Sequence, residues 1–472
     1  MPNRIDVTVI GAGPAGLAAA ISASRNGASV LLVEREARLG GILKQCIHDG
    51  FGVLRYREKL SGPEYAYRDI VELETTNARV MLQTYVSRIE KIGSKFILTL
   101  ISSNGLIQVE SGSIVLATGC RERTAKQVAI HGTRPAGVFT AGTAQYYTNI
   151  LGQMPTKRCI ILGSGDIGLI MARRLTLEGA EVLGVYEAKS EPGGLLRNVL
   201  QCLNDFEIPL RLEHTVTRLF GTDRLKAVEI CRVDKNMTPI PGTEKLVKCD
   251  ALILSVGLVP ENELAEMLGA ELNNKTLGPV CDQNNMTTVS GVFTCGNSTH
   301  VNDLVEFVSE SGVIAGSNAA RYNYRAARSL VPISSSADFL YVVPQCIDVG
   351  SQENEATIYF RSSEVRKNVT VSVLADGQEV FKQHYNHLRP PEMERIEVYF
   401  GGEFQRMSKV TLRMEDTVIS EEEPEEEDAQ SVETVGAQED LGYVDDSEHM
   451  EYDDDFADVG DYGDIDDTED IR

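Results

Sequence analysis

Short apolar runs alternate with helical patterns along the first two thirds of the chain. Runs at residues 7–10 and 160–162 each lead into a glycine-rich turn, and helical patterns follow at residues 17–26 and 169–177. Apolar strands that alternate with helices indicate parallel, doubly wound sheets. Because this succession occurs twice, the pattern predicts an α/β protein with two Rossmann-like units, which form an internal repeat on the scale of a domain.

The two glycine-rich turns have the spacing of dinucleotide-binding fingerprints. An acid closes the next apolar run, 18 residues after the last glycine of the first turn and 19 after that of the second. The first glycine lets the strand turn into a helix, the second admits a pyrophosphate, and the third lets helix and strand pack closely. The residues concerned are Gly11, Gly13, Pro14, Ala15, Gly16 and Glu34 in the first unit, and Gly163, Gly165, Asp166, Ile167, Gly168 and Glu187 in the second. Two units predict two bound dinucleotides, one of which can reduce the other.

The pattern changes to period-two alternation after residue 332, which predicts a small all-β domain. Its strands are predicted at residues 339–343, 356–361, 369–374, 395–400 and 410–414. The predicted regions are a discontinuous first unit at 1–130 and 280–331, an inserted second unit at 131–279, the β domain at 332–418, and an acidic disordered tail at 419–472.

The formal charge of −25 is concentrated at the carboxyl end of the chain. Residues 421–472 hold 24 acidic residues against one Arg, a charge of −23, so the remainder carries only −2. This near-neutral body has no basic stripe for nucleic acid, so no nucleic-acid partner is expected. The tail is interpreted either as a solvating segment or as a docking segment for a basic partner surface.

Cysteine usage and apolar run lengths indicate a cytoplasmic protein. The nine cysteines are scattered and form no CxxC motif, which is typical of buried thiols in a reducing compartment and predicts no metal site. No apolar run reaches the roughly 18 residues that span a bilayer. The first strand begins a few residues after Met1, so we expect no signal peptide.

The order of motifs along residues 4–325 resembles the glutathione-reductase-like pyridine nucleotide oxidoreductases, which are flavoproteins with two dinucleotide folds. The resemblance implies that the first unit holds FAD and that the inserted second unit holds NAD(H). Beyond the fingerprints, it rests on Gly40-Gly41, Ala117-Thr118-Gly119, Ser255-Val256-Gly257 and Gly296-Asn297. The predicted cofactor-binding residues therefore also include Arg35, Gly41, Ala117, Thr118, Gly119, Gly257, Gly296, Asn297 and Asp303.

Three further stretches, at residues 40–52, 132–145 and 296–303, narrow the resemblance. They are similar to the NAD/FAD subunits of dehydrogenases of the opine oxidase and hydrogen cyanide synthase type, and to a branch associated with glycerol-3-phosphate oxidation. This resemblance implies two partners, namely a second flavoprotein dehydrogenase subunit, together with a small cysteine-bearing subunit. Where the family has Gly-Asp, the chain has Gly296-Asn297, and an Asn carbonyl can accept the same ribityl hydrogen bond.

Four residues are candidates for flavin-side chemistry, each with a structural alternative. Lys44 could bond the flavin or lie on the surface, and Cys46 could be a redox thiol or simply a buried one. His48 could donate a proton or make a structural hydrogen bond, and His300 could line the flavin edge. Asp303 could instead cap the long helix predicted at 303–322.

The sequence therefore predicts an FAD-dependent NAD(H) oxidoreductase, with NADH favoured because Glu187 would repel a 2′-phosphate. The favoured interpretation is the NAD-side subunit of a multi-component dehydrogenase, because no second redox centre is evident in the sequence. The alternatives are an oxidase that reduces oxygen with Cys46 at the flavin, and a non-enzymatic scaffold that binds FAD. The electron acceptor, the direction of electron flow and the oligomeric state stay open.

Overall fold

The computed structural model describes residues 4–324, 327–401 and 404–417, so the predicted acidic tail lies outside the described residues. The first part of the chain forms a sheet in the strand order β3-β2-β1-β6-β5-β4. Strands β1 to β3 are parallel, whereas β4, β5 and the first half of β6 form an antiparallel meander. The elements are β1 (Arg4–Ile10), α1 (Pro14–Arg25), β2 (Val30–Val33), α2 (Val53–Tyr56), α3 (Gly62–Glu74), β3 (Arg79–Met81), β4 (Tyr85–Ile92), β5 (Lys95–Ser102) and β6 (Gly105–Leu116).

The second part of the chain repeats the doubly wound pattern in a five-stranded parallel sheet. Its elements are β7 (Cys120–Glu122), β8 (His131–Gly132), β9 (Val138–Thr140), α4 (Ala141–Asn149), β10 (Arg158–Leu162), α5 (Asp166–Leu177), β11 (Glu181–Tyr186), α6 (Leu196–Cys202), β12 (Leu210–Arg211), β13 (His214–Gly221), β14 (Leu225–Arg232), β15 (Lys245–Lys248), β16 (Ala251–Leu254) and β17 (Leu258–Pro260). The parallel sheet has the order β12-β11-β10-β16-β9, and a second sheet of order β15-β14-β13-β8 lies beside it.

The chain then returns to the first sheet through α7 (Glu263–Met267), β18 (Val292–Thr294) and α8 (Val305–Ala320). Strand β18 pairs in parallel with β6. The return begins earlier than the predicted residue 280, because Ala265 and Ala270 already pack in the same apolar core as Ile5 and Leu98. The connections between the two units run side by side, since β7 and β17 form an antiparallel ribbon.

The carboxyl-terminal strands form the predicted small β domain, built from two sheets over one apolar core. Its strands are β19 (Leu330–Ser335), β20 (Phe339–Val343), β21 (Cys346–Asp348), β22 (Glu355–Ser362), β23 (Arg366–Ala375), β24 (Gln378–Leu388), β25 (Glu394–Tyr399) and β26 (Val410–Asp416). The sheet orders are β21-β19-β26-β23-β24 and β20-β22-β25. Phe339 and Phe360 from one sheet and Val371 and Leu412 from the other are fully buried together.

Two ion pairs attach the β domain to helix α8 and to the segment just before it. The guanidinium of Arg361 bonds a carboxylate oxygen of Asp303, just before the helix, and the other Asp303 oxygen accepts a hydrogen bond of 2.7 Å from Met393 N. One turn into the helix, Glu310 accepts a 2.7 Å hydrogen bond from Nε of Arg395. Both acids therefore fix the β domain to the helix that runs behind the first fingerprint.

The imidazole of His300 is enclosed at this junction and is only 3% exposed. Its ring lies 5.3 Å from that of Tyr359 and 5.9 Å from that of Tyr341, and neither ring nitrogen has a hydrogen-bond partner among the described residues. Burial first, and the charge of Arg361 second, lower the pKa of His300 from 6.5 to about 3. The folded protein therefore keeps this imidazole neutral.

Replacing His300 with Phe should reduce the acid sensitivity of folding. The unfolded chain takes up a proton on His300 below pH 6.5, whereas the folded state resists it down to about pH 3, so stability falls as the pH drops through this window. The free energy of unfolding, measured with denaturant, falls between neutral pH and about pH 4.5. This fall should be smaller in His300→Phe than in the native chain, by on the order of 2 kcal/mol. His387→Phe, an exposed position on β24, is the matched control. Identical pH dependence of all three proteins would contradict the assignment.

Candidate functional site

The first fingerprint is held by backbone contacts that leave no room for side chains. Gly11 has a φ of +100°, and a Cβ there would lie 2.3 Å from the carbonyl oxygen of Ala117. A Cβ on Gly16 would lie 1.7 Å from the carbonyl oxygen of Gly11, so the start of α1 packs directly on the turn. Gly41 closes the other side, where its Cβ would lie 2.8 Å from the Cα of Gly13. The glycines thus form a bare backbone cradle, as the fingerprint requires.

The amino end of α1 is open to an anion. Gly13 is its N-cap and no side chain caps it, while Pro14 takes the first helical position. The unpaired N–H groups and the helix dipole favour a phosphate at this point. Beside it, the buried carboxylate of Glu34 accepts hydrogen bonds from Ala12 N at 2.7 Å and Glu36 N at 2.8 Å. These bonds fix the carboxylate and leave oxygen lone pairs for ribose hydroxyls.

The second fingerprint reproduces this geometry. Gly163 has a φ of +98°, and its Cβ would lie 2.0 Å from the carbonyl oxygen of Ser255, which takes the place of Ala117. A Cβ on Gly168 would lie 2.6 Å from the carbonyl oxygen of Gly163. The carboxylate of Glu187 accepts a 2.9 Å bond from Ser164 N, just as Glu34 is bonded from the first turn. The internal repeat therefore extends to individual hydrogen bonds.

A second glycine pair went unrecognised in the sequence. Gly193-Gly194 follows Glu187 at the same six-residue spacing at which Gly40 follows Glu34. A Cβ on Gly194 would lie 2.9 Å from the carbonyl oxygen of Ser164, so this loop folds over the second turn as Gly40-Gly41 does over the first. Comparing the two halves residue by residue, rather than their fingerprints alone, would have found it.

The loop over the second turn is fastened by polar side chains that the first unit lacks. The Gly193 N–H donates a 2.8 Å hydrogen bond to the hydroxyl of Ser164. Oδ1 of Asp166 accepts 2.9 Å and 2.6 Å bonds from Leu195 N and the amide of Asn198. Asp166 is thus turned toward the loop, and its predicted cofactor contact stays a prediction; the neighbouring Ile167 packs partly buried against the core of the second unit.

The ammonium group of Lys44 is bound by groups of its own loop. Its ammonium bonds the carboxylate of Glu36 and donates a 3.0 Å hydrogen bond to the carbonyl oxygen of Arg38. Two of its three donors are therefore used within the loop that joins β2 to the following single-turn helix, Gly41–Gln45. The structure supports a role in shaping this loop, and a flavin bond by Lys44 stays a prediction.

Side-chain amides connect the segment after Gly41, in the first unit, with helix α4 of the second unit. The Gln45 side chain donates 2.9 Å and 3.0 Å hydrogen bonds to Gly142 O and to Oε1 of Gln145 on α4, and Asn149 returns a bond to Gln45 O. The adjacent Cys46 has its sulfur 4.0 Å from the same Gln145 oxygen. Burial raises the pKa of the Cys46 thiol to about 11, which favours the protonated thiol at neutral pH, and its redox role stays a prediction.

The two histidine candidates have structural surroundings. Nδ1 of His48 lies 3.0 Å from Asp49 O, and its ring is 5.0 Å from that of Phe51, which supports the structural alternative. His300 is enclosed by rings of the β domain, as described above, and its predicted place at the flavin edge stays a prediction. Asp303 does not cap α8, because Leu304 is the N-cap and no side chain caps that helix.

The strand ends around the first turn bring together the other predicted residues. Asn297 accepts a 3.0 Å bond from Asn302 N, and its amide lies 3.6 Å from the sulfur of Cys120, which follows Gly119. Gly296 lies against Ala15, since a Cβ there would be 2.8 Å from the Ala15 Cβ.

The ribbon of β7 and β17 joins the matching strand ends of the two units. The Thr118 hydroxyl donates a 2.6 Å bond to Glu261 O, and the carboxylate of Glu261 lies 3.4 Å from the guanidinium of Arg35. Gly257 O accepts a 3.0 Å bond from Arg123 N. The predicted adenosine-side Arg35 and the glycines at both strand ends therefore belong to one connected region.

These features fit the two cofactors. Both turns offer an uncapped helix end to a pyrophosphate and a fixed carboxylate to a ribose. Next to Asn297, the side-chain oxygen of Asn302 is buried without a partner among the described residues, which suits a hydroxyl or N–H donor from a bound flavin. The donor set at each turn therefore fits a bound dinucleotide, and FAD on the first turn with NAD(H) on the second stays a prediction.

Known proteins are similar to this chain in sequence or in fold. The A subunit of opine oxidase from Agrobacterium tumefaciens is 24% identical over 411 residues, which cover 83% of this chain and 75% of that protein. The HcnB subunit of hydrogen cyanide synthase from Pseudomonas protegens is 25% identical over 347 residues, 68% of this chain and 69% of HcnB. The crystal structure of Lactococcus lactis thioredoxin reductase has a TM-score of 0.56 at 21% identity, covering 67% of this chain and 98% of the reductase. That likeness shows the shared two-domain fold.

The two fingerprints should fail separately when the third glycine of each gains a methyl group. In Gly16→Ala the methyl meets Gly11 O, so the helix must move and FAD affinity should fall at least about tenfold, measured as flavin retained after purification. Gly168→Ala is the matched control, because it should keep its flavin but lose affinity for the nicotinamide dinucleotide. A Gly16→Ala protein with a full complement of FAD would sink the assignment of the first turn.

A family comparison agrees with the geometry. The sequence profile of the family described as pyridine nucleotide-disulphide oxidoreductase matches residues 5–319, more than half of the chain. The matched range contains both fingerprints, both acids and the ribbon between the units. No helix among the described residues is long and apolar enough to cross a membrane. The chain belongs to the pyridine nucleotide-disulphide oxidoreductase family and is an FAD-dependent NAD(P) oxidoreductase.

Proposed function

We propose that this chain is the NAD-side subunit of a multi-component dehydrogenase, in which it exchanges a hydride between NAD(H) and FAD. The observation that carries the proposal is that no pair of cysteines among the described residues forms a second redox centre. All nine cysteines lie within the described residues and none forms a disulfide. The two half-buried thiols, Cys46 and Cys120, both have a pKa raised by burial to about 11. Electrons on a bound flavin would therefore pass to an acceptor outside this chain.

The names of the relatives are consistent with this role. The opine oxidase and HcnB relatives are each described as one subunit of an enzyme, and so is the alpha subunit of sarcosine oxidase from Rhizobium meliloti, which is 27% identical over 266 residues. We propose that the main partner is a second flavoprotein dehydrogenase subunit, with a small cysteine-bearing subunit beside it. The acidic tail, outside the described residues, is proposed to dock a basic surface of such a partner.

The second site is proposed to select NAD(H) over its phosphorylated form. The Glu187 carboxylate accepts bonds from Ser164 N and its hydroxyl and from Lys189 N at 3.1 Å, so it is fixed where the adenosine ribose would lie. A fixed anion accepts a 2′-hydroxyl and repels a 2′-phosphate. Lys189 is the one cation in the three residues that follow the acid, too few to offset this repulsion.

The protein side of the reaction is binding and orientation. When bound, FAD and NAD(H) would supply the redox chemistry, a hydride exchange between the flavin and the nicotinamide. The chain supplies the two pyrophosphate cradles, the two ribose acids and the segment of Gln45 and Cys46 that lies against α4. No general acid or base is required for hydride exchange itself, which agrees with the structural surroundings of His48 and His300.

Two other functions explain the structure less well. An oxidase with Cys46 at the flavin needs a thiolate, whereas burial keeps this thiol protonated. A scaffold that only binds FAD leaves the second fingerprint without a purpose, although that turn repeats the close backbone contacts of the first.

Anaerobic mixing with NADH should bleach the flavin absorbance at about 450 nm, and NADPH should do so at least about tenfold less efficiently. Glu187→Gln, which removes the charge but keeps the shape, should narrow this difference by accepting NADPH better. If neither nucleotide bleaches the flavin, the result would contradict the proposal and favour the scaffold interpretation. Equal efficiency of both nucleotides in the native chain would refute the role given to Glu187.

Oxygen should reoxidise the reduced flavin slowly, whereas an artificial acceptor such as ferricyanide should do so quickly. Cys46→Ser should leave both rates within about twofold of the native chain, because the thiol takes no part in electron transfer. Cys120→Ser, the other half-buried thiol, is the matched control. Fast reoxidation by oxygen that disappears only in Cys46→Ser would establish the oxidase instead.

A further inference from the structure

A cleft of about 480 Å³ opens on the second unit, between the polar connector that follows β7 and the ends of β9 and β16. It shares no residue with the two fingerprints, with Glu187 or with the strand end at 255–257. Clefts of this size accommodate small organic molecules.

The walls of the cleft are fixed by backbone hydrogen bonds. Ile130 N donates a 3.0 Å bond to Ala125 O, so residues 125–130 form a closed turn. Strand β8 then pairs with β13, where Gly132 has a φ of +107° and its Cβ would lie 2.2 Å from Leu219 O. Because glycine is needed for this approach, the connector is held against β13 and the cleft is preformed.

One side of the cleft is basic. Lys126, His131 and Arg134 line it, with hydroxyls from Thr124 and Thr133 beside them. In the described part of the chain, neither the Lys126 ammonium nor the Arg134 guanidinium has an ion pair or a side-chain hydrogen bond. No acidic residue lines the cleft. Two free cations and a histidine therefore face the same opening without a counter-charge.

The other side of the cleft is apolar. Ile130, Leu219 and Leu254 are buried in one hydrophobic cluster, and Val138 packs partly buried against it. All four line the floor of the cleft. Glu122, the last residue of β7, accepts a 2.8 Å hydrogen bond from Gly142 N and is not among the residues that line the cleft. An apolar floor below a cationic rim suits a ligand with an apolar body and an anionic group.

The cleft lies away from the adenosine side of the second site. Glu187 follows β11, whereas the cleft borders β9, the edge strand on the other side of β10 and β16. A nucleotide 2′-phosphate beside Glu187 therefore does not reach the cations of the cleft. We propose that this cleft binds a small organic anion, an apolar body that carries a carboxylate, sulfonate or phosphate group, as a ligand distinct from both dinucleotides.

Naphthalenesulfonate is a probe of this class, and the neutral naphthalene sulfonamide is its matched control. Calorimetric titration of the FAD-loaded protein in low salt should give one sulfonate site that is at least about tenfold tighter than the sulfonamide site. The double variant Lys126→Glu/Arg134→Glu should weaken sulfonate binding at least about tenfold, because two attractions become repulsions, and should change sulfonamide binding less than about twofold.

Two controls make the experiment decisive. Lys235→Glu/Arg232→Glu reverses two exposed cations elsewhere on the second unit and should leave both titrations unchanged. Retained flavin in every variant verifies folding. Saturating NADH should leave sulfonate binding intact. Equal affinity for the two probes, insensitivity to the Lys126/Arg134 reversal, or displacement by NADH would each overturn the proposal, and none of these outcomes depends on whether NADH reduces the flavin.

Discussion

The contact between the third and first glycines of each turn is the constraint on which both sites depend. Gly16 and Gly168 let a helix begin against the carbonyl oxygen of the glycine that ends the preceding strand. This contact aims the open N–H groups of the helix at one point, beside the carboxyl end of the sheet. A methyl group at either position would separate helix from strand. The cradle, the acid that faces it and the glycine pair that closes it all take their positions from this approach.

The two units share this backbone but differ in the side chains around it. Where the first turn has Ala12 and Pro14, the second has Ser164 and Asp166, and both polar side chains fasten the loop over the turn. In the first loop the Gly40 N–H instead donates a 2.8 Å hydrogen bond to the carbonyl oxygen of Ala12, and Gly41 lies against Gly13.

Features that depend on residues close together in the chain could be predicted from the sequence. Fingerprints, acids and apolar strands are local patterns, and the structure places them as a doubly wound repeat. Contacts between residues far apart in the sequence could not be predicted: the β domain encloses His300 and engages Asp303. Strand β24 was missed because it is an edge strand with a largely exposed, polar sequence that hides the alternation. The pair Gly193-Gly194 was available in the sequence and was overlooked, because only the fingerprints of the two halves were compared.

Helix α8 connects the β domain with the first turn. On one face, Gly312 and Gly316 allow it to pack against α1, where their Cβ atoms would lie 2.2 Å from the carbonyl oxygens of Ala15 and Ala19. On another face, Glu310 is gripped by the β domain, as is Asp303 just before the helix. Helix α8 is therefore in contact with both the β domain and the helix that begins at the first turn, so the β domain supports the elements around that turn.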